Sequence, residues 1–136
     1  FISGHSCDLT ISNPPFFVND LKSTESRKRL ARHADEHFFI SLLRKSDELL
    51  DDGGFLWLVL PVKQADFVIA KAAEYHLALQ QEINVCSDST KPVIRKIICL
   101  GRERTEVSRS VFYIYESQGV YTEAYRELLK DFFLAF

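Results

Sequence analysis

The segment from Cys7 to Phe17, CDLTISNPPFF, places a short apolar run before the tetrapeptide Asn-Pro-Pro-Phe. Because proline has a fixed φ and no amide hydrogen, two in succession end both helix and strand and leave a rigid, extended corner. The Asn13 side-chain oxygen and the Pro14 carbonyl oxygen could each accept one hydrogen of a planar amine, such as that of adenine or a side-chain amide. Such bonds would aim the nitrogen lone pair at an electrophile. The Phe16 ring would stack on a flipped-out base, an interaction of about 1–3 kcal/mol.

The elements behind this corner alternate between strand and helix patterns. Asp8 to Ser12 predicts a short strand that ends at the corner. Apolar residues at helical spacing predict a helix from about Ser26 to Leu50, stopped by the glycines of Asp51 to Gly54. Phe55 to Pro61 predicts a strand buried on both faces, and Gln64 to Tyr75 predicts a crossover helix. A doubly wound α/β sheet follows, whose ligands bind beyond the carboxyl ends of the strands.

The second half of the chain predicts a different arrangement. Leu77 to Cys86, Val93 to Leu100 and Val111 to Tyr115 are β-rich runs with no helical pattern between them. We therefore expect three antiparallel neighbours at one edge of the sheet. Tyr121 to Phe136 predicts an amphipathic C-terminal helix with Thr122 as its N-cap. Residues 1–136 are expected to form part of a single domain.

The basic residues are concentrated, although the net charge is −2. Lys22 to His33 and Lys91 to Arg104 together hold ten of the seventeen lysines and arginines. On charge alone these stretches fit two solvated faces, and contact with nucleic-acid phosphates is the alternative. The tyrosines near the C-terminus are interpreted as packing residues rather than a stacking platform for RNA: Tyr113, Tyr115, Tyr121 and Tyr125.

Composition predicts an ordinary globular chain, 46% hydrophobic and 26% charged. The longest apolar run, Phe55 to Leu60, is far shorter than the ~18 residues of a membrane span. No signal peptide pattern is visible. Cys7, Cys86 and Cys99 form no CxxC pair, which favours reduced, buried thiols in the cytoplasm and neither a disulfide framework nor a metal site.

SNPPFF after an apolar strand resembles the N-P-P-[Y/F] motif of amino-group methyltransferases that use S-adenosylmethionine. Three further segments, ARHADEHFFISLLRKSDELLDDGGFLWLVLP, KPVIRKIICLG and YTEAYRELLKDFFL, look like those of bacterial tRNA (adenine-N6)-methyltransferases that act beside the anticodon of a valine tRNA. The resemblance covers nearly the whole chain. It implies the C-terminal portion of a class I methyltransferase, a Rossmann-like α/β sheet with antiparallel edge strands and a C-terminal helix.

The resemblance also implies roles for individual residues. Asn13, Pro14, Pro15 and Phe16 take the catalytic places of the motif, and Asn13 also contacts the cofactor, S-adenosylmethionine. tRNA is the implied partner, without metal or membrane. The residues expected to contact it are basic: Lys22, Arg27, Lys28, Arg29, Arg32, His33, Arg95 and Lys96.

The chain departs from the family in its cofactor site. The family binds the cofactor mainly through an upstream glycine-rich loop and acidic residues, and no G-x-G pattern occurs in this sequence. We therefore expect a partial domain, the substrate half, which binds cofactor poorly by itself. A protein glutamine or DNA adenine methyltransferase remains an alternative, because the corner suits any planar amine, and so does a non-catalytic RNA-binding fragment.

Overall fold

The structure is a computed structural model that describes residues 6–15 and 24–134. Its elements in chain order are β1 (Cys7–Ser12), α1 (Glu25–Leu49), β2 (Leu50–Leu60), α2 (Val62–Ala72), a 3₁₀ turn (Ala73–Tyr75), β3 (Ala78–Cys86), β4 (Val93–Gly101), β5 (Ser108–Tyr113), β6 (Tyr115–Ser117), β7 (Val120–Tyr121) and α3 (Glu123–Leu129).

Strands β1 to β5 form one sheet in the order β1-β2-β4-β3-β5, and β6 and β7 form a separate hairpin. β1 runs parallel to β2, while β4 runs antiparallel to both of its neighbours. β5 runs parallel to β3. Four strands of the sheet therefore point in the same direction and β4 alone is reversed. The predicted α/β architecture is confirmed.

The last three strands of the sheet differ in one respect from the prediction. β3 and β4 are antiparallel neighbours as expected, but β5 pairs with the other side of β3 in a parallel register that aligns Gln81 with Ser108. The connection at residues 102–107 crosses the amino end of β3 before β5 begins. β5 thus runs opposite to β4 without touching it, and the prediction of three antiparallel neighbours is wrong for this strand.

Helices α1 and α2 cover one face of the sheet. Leu58 and Leu60 of β2 are fully buried at this face, in one cluster with residues of both helices. The alternate residues of β2 face the other side, where Phe55 is 39% exposed. Within the described residues, α3 contacts that second face over β5, where Tyr125 lies against Phe112. The sequence predicted that the strand at Phe55 to Pro61, which is part of β2, is buried on both faces. Within the described part of the chain this prediction is wrong.

Helix α1 ends at Leu49, within one residue of the predicted end, but the predicted glycine cap is wrong. Leu50 already has an extended backbone, with φ −75° and ψ 134°, so Asp51 to Gly54 belong to β2. The Arg102 guanidinium, at the end of β4, donates to the backbone oxygens of Asp47 and Leu50 at 2.6 and 2.8 Å. A side chain distant in sequence thus satisfies carbonyls that a glycine cap would otherwise serve.

Helix α3 begins where the sequence predicts and ends early. The Thr122 hydroxyl accepts a hydrogen bond from the Tyr125 amide at 3.1 Å, which confirms the N-cap. The helix stops at Leu129, and Phe132 beyond it is 81% exposed. Among the described residues, no helix has the length and apolar character needed to cross a membrane.

Candidate active site

The Asn-Pro-Pro corner lies at the carboxyl end of β1. Asn13 is exposed, Pro14 is buried and Pro15 is exposed. The buried proline anchors the corner while the amide beside it faces solvent, as the proposed contact with a planar amine requires. Phe16 lies outside the described residues, so its role as a stacking ring stays a prediction.

The parallel pairing of β1 with β2 sets what surrounds this corner. Ser12 pairs with Leu58, so Asn13 follows at the level where β2 approaches its own carboxyl end. β2 is succeeded at once by Pro61 and helix α2. The corner and the first turn of α2 therefore lie at the same edge of the sheet, the edge where α/β folds bind ligands.

The predicted RNA contacts of the first basic stretch lie on the first turns of α1. Arg27, Arg29, Arg32 and His33 are exposed, and Lys28 is half-buried. Lys22 lies outside the described residues. The hydroxyl of Thr24 begins the helix by accepting the Arg27 amide at 3.4 Å. The helix thus presents a row of cations at its N-terminal end.

A groove of about 660 Å³ separates this row from α2. Its α1 wall carries Lys28, Arg29 and Arg32, and its α2 wall carries Lys63 and Gln64. Sequence reasoning missed Lys63, because it does not lie in a basic stretch. The available signal was its position two residues after Pro61, where a helix begins directly beyond a buried strand.

Lys96 is held within the fold. Its Nζ lies 2.7 Å from a carboxylate oxygen of Glu82 and 2.8 Å from one of Asp66. Hydrogen bonds to Asp66 and then Glu82 raise the pKa of the Lys96 amine. Arg109 also contacts Glu82, at 3.1 Å. Because two carboxylates compensate its charge, Lys96 is not part of the RNA surface proposed below. Arg95, its neighbour on β4, is exposed.

Three of the four tyrosines pack on one another. The rings of Tyr115 and Tyr121, and of Tyr121 and Tyr125, are stacked with centroids 4.9 Å apart. A hydrogen bond with Tyr121 raises the pKa of the Tyr115 phenol. The stack joins the β6–β7 hairpin to α3, so the packing interpretation is confirmed for these residues. Tyr113 is 39% exposed.

The described residues do not fit a complete cofactor site. Gly53, Gly54 and Gly101 lie at the opposite edge of the sheet from Asn13, and Gly119 lies in the β6–β7 turn. No described glycine therefore borders the corner, where a nucleotide-shaped cofactor would need close backbone approach. Among the residues described, no group of three or more His, Cys, Asp or Glu could hold a metal ion. All three cysteines are free thiols, with Cys86 and Cys99 buried.

The fold of the chain matches that of a solved structure. The structure aligns with the crystal structure of a "predicted O-methyltransferase" from Agrobacterium tumefaciens at a TM-score of 0.66 and 13% identity, over 90% of this chain and 50% of that one. The Rossmann-like methyltransferase fold expected from the sequence is thereby confirmed. No protein-family model matches the chain.

The sequence then identifies the relatives. Over 129 residues the chain is 47% identical to a Pedobacter heparinus protein named tRNA1(Val) (adenine(37)-N6)-methyltransferase, covering 95% of this chain and 55% of that protein. Proteins of the same name from Dyadobacter fermentans and Edwardsiella ictaluri are 35% and 32% identical, over 100% and 98% of this chain and 58% and 54% of theirs. The predicted resemblance to these methyltransferases is confirmed. The chain spans about half the length of the curated relatives it matches.

Proposed function

We propose that the protein transfers a methyl group from S-adenosylmethionine to the exocyclic N6 amine of an adenine in tRNA, and that this chain supplies the substrate side of the site. The observation that carries the proposal is the exposed Asn13 amide held on the buried Pro14 at the carboxyl end of β1. The names of the relatives support tRNA as the substrate. The described residues supply little of the cofactor site, so the proposed steps concern the amine alone.

Asn13 and Pro14 act by orientation. The Asn13 side-chain oxygen and the Pro14 carbonyl oxygen accept the two N6 hydrogens, which weakens conjugation of the nitrogen lone pair with the purine ring. S-adenosylmethionine, when bound, would supply an electrophilic methyl group, and its sulfur would keep the electron pair of the broken sulfur–carbon bond as a neutral thioether. As the nitrogen gains its bond to carbon, its positive charge strengthens both hydrogen bonds, so they stabilise the transition state more than the ground state. The methylated nitrogen then loses one proton to water.

The basic end of α1 would hold the RNA. Arg27, Arg29 and Arg32 are exposed on the first two turns of the helix. Arg29 and Arg32 share one face of the helix and Arg27 lies on another. Contacts of such cations with phosphates supply much of the affinity for nucleic acids. Lys28 and His33 at the same end of α1, and Arg95 on β4, are further proposed contacts with the RNA. Lys22 stays a sequence prediction.

Substitution of Asn13 tests the proposal. Asn13→Ala in the intact protein should lower kcat for methylation of an unmodified valine tRNA transcript on the order of 10²- to 10³-fold, the usual effect of removing one preorganised hydrogen-bonding group. Because Asn13 is exposed, the substitution should change the free energy of unfolding of the protein by less than about 0.5 kcal/mol. Asn84→Ala is the matched control, since it removes an amide from β3, which two strands separate from β1.

The substrate is tested in the same assay. Radiolabelled methyl from S-adenosylmethionine should enter the tRNA at adenine N6 and not a duplex DNA with adenine or a protein with an exposed glutamine. Labelling of the DNA or the protein instead would favour the alternative hypothesis of a DNA adenine or protein glutamine methyltransferase. Full activity of Asn13→Ala, or no methylation of tRNA by the intact wild type, would reject the proposed function.

A further inference from the structure

The groove between α1 and α2 has cations on both walls. Arg29 and Arg32 project from α1, and Lys63 projects from the first turn of α2. Within the part of the chain that the structure describes, none of these three has a carboxylate within 4.0 Å. Their charges are therefore available to an anion that enters the groove.

The carboxylates of the groove already have partners. Glu25 lies 3.7 Å from the Lys28 amine, and Glu36 lies 4.0 Å from the His33 ring. Asp35 accepts a hydrogen bond from the Gln64 amide at 3.4 Å. Of these partners only Lys28 carries a permanent charge, since the Gln64 amide is neutral and the His33 ring is charged only when protonated. The lining holds four lysines or arginines and three carboxylates, so the net charge of the groove is +1.

The Asp35–Gln64 bond also fixes the relative position of the two walls. Asp35 lies one helical turn beyond Arg32 on the same face of α1. Gln64 is adjacent to Lys63, so the first turn of α2 faces the second and third turns of α1. The α2 N-terminus has no side-chain cap, so its amide dipoles reinforce the attraction for an anion at Lys63.

Resting on the proposed function, we infer that this groove binds the sugar–phosphate backbone of the RNA strand that carries the target adenine, with Lys63 contacting phosphate from one wall and Arg29 and Arg32 from the other. Arg29 and Arg32 are three residues apart, which places their Cβ atoms about 5–6 Å from each other and suits neighbouring points along a strand. The groove opens at the same edge of the sheet as Asn13, because α2 starts directly after β2. A strand held there would present one nucleotide to the corner.

Paired glutamine substitutions test the groove in the intact protein. Lys63→Gln is compared with Lys71→Gln, which lies at the far end of the same helix and pairs with Glu74. Arg32→Gln is compared with Arg44→Gln, an exposed arginine three turns further along α1. The probe is unmodified valine tRNA transcript, measured by equilibrium binding at a series of salt concentrations and by steady-state methylation.

Each groove variant should lose one phosphate contact. The slope of log K against log salt should become shallower by about 0.7–0.9 per contact. KM for tRNA should rise about 3- to 10-fold, equivalent to about 0.7–1.4 kcal/mol of binding, with a smaller effect on kcat. The control variants should match wild type in both measurements, and urea unfolding of all four should show unchanged midpoints.

The possible results distinguish failure of the groove proposal from failure of the proposed function. If wild type methylates tRNA and requires Asn13, but Lys63→Gln and Arg32→Gln behave like their controls, the groove is rejected and the function stands. If wild type does not methylate tRNA, both are rejected. If Arg32→Gln alone weakens binding, the two-walled arrangement is rejected, since Lys63 then takes no part.

Discussion

Removal of the Arg102 side chain should destabilise the fold where α1 passes into β2. Its guanidinium donates to the Asp47 carboxylate at 2.5 Å and to the backbone oxygens of Asp47 and Leu50 at 2.6 and 2.8 Å. The Arg102 side chain is 20% exposed, so solvent replaces these bonds incompletely. Arg102→Ala thus leaves two backbone carbonyls without this donor and leaves the Asp47 carboxylate with the His76 ring nitrogen, at 3.0 Å, as its remaining side-chain partner among the described residues.

The three bonds set the magnitude of the effect. A hydrogen bond between neutral groups contributes about 1 kcal/mol net, and one that involves a charged group about 1.5–3 kcal/mol. All three bonds involve the charged guanidinium, but because Asp47 and Arg102 are partly exposed, we discount each bond to about 1 kcal/mol. We expect Arg102→Ala to reduce the free energy of unfolding at pH 7 by about 3 kcal/mol.

Urea unfolding of the intact protein measures this change. Trp57, the single tryptophan of the sequence, lies on β2 and reports on this region by fluorescence. Arg104→Ala is the control, since Arg104 is exposed two residues further along the chain, and it should shift stability by less than about 0.5 kcal/mol. A loss below about 1 kcal/mol for Arg102→Ala, the usual value for a surface ion pair, would refute the reasoning.

The same pair predicts a pH dependence. The hydrogen bond from Arg102 is the largest cause that holds the Asp47 pKa below its ordinary value of 3.8. A carboxyl whose pKa is lowered by folding stabilises the native state above the unfolded pKa and loses that stabilisation as the pH falls through the folded pKa. The difference between wild type and Arg102→Ala should therefore be constant from pH 7 to about pH 5 and narrow below about pH 4. The carbonyl bonds do not titrate, so part of the difference should persist. A difference that stays constant down to pH 3 would contradict the role of Asp47.

Two further predictions concern backbone geometry and capping. Gly54→Ala should destabilise by about 1–3 kcal/mol in urea unfolding, because a Cβ there would meet the Cys7 carbonyl oxygen at 2.9 Å. Gly53→Ala, with nothing within 4 Å of its Cβ, should be nearly neutral, and equal effects would contradict the steric argument. Thr122→Ala should cost about 1 kcal/mol by removing the N-cap of α3, seen as faster hydrogen exchange at the Tyr125 amide. Unchanged exchange there would show that the cap does not hold the helix.

The sequence by itself determined the features that depend on local chemistry. Pro14 and Pro15 impose the corner after β1 whatever surrounds them, because their constraint lies within the residue. Thr122 caps α3 for a similar reason, since its hydroxyl reaches an amide three residues on. The alternation of apolar strands and amphipathic helices predicted an α/β sheet, and the resemblance of SNPPFF and its companion segments predicted the methyltransferase fold.

Only the tertiary structure decided which distant groups meet. Arg102, which follows β4, donates a hydrogen bond to the backbone oxygen of Asp47 near the end of α1. β5 pairs with β3 in a parallel and not an antiparallel arrangement. Lys96 forms an ion pair with Glu82. Lys63 lies across a groove from the cations of α1, because α2 begins directly after the carboxyl end of β2. Periodicity and capping act over a few residues, whereas strand order and ion pairing depend on loop closure and on competition among all partners that packing brings within reach.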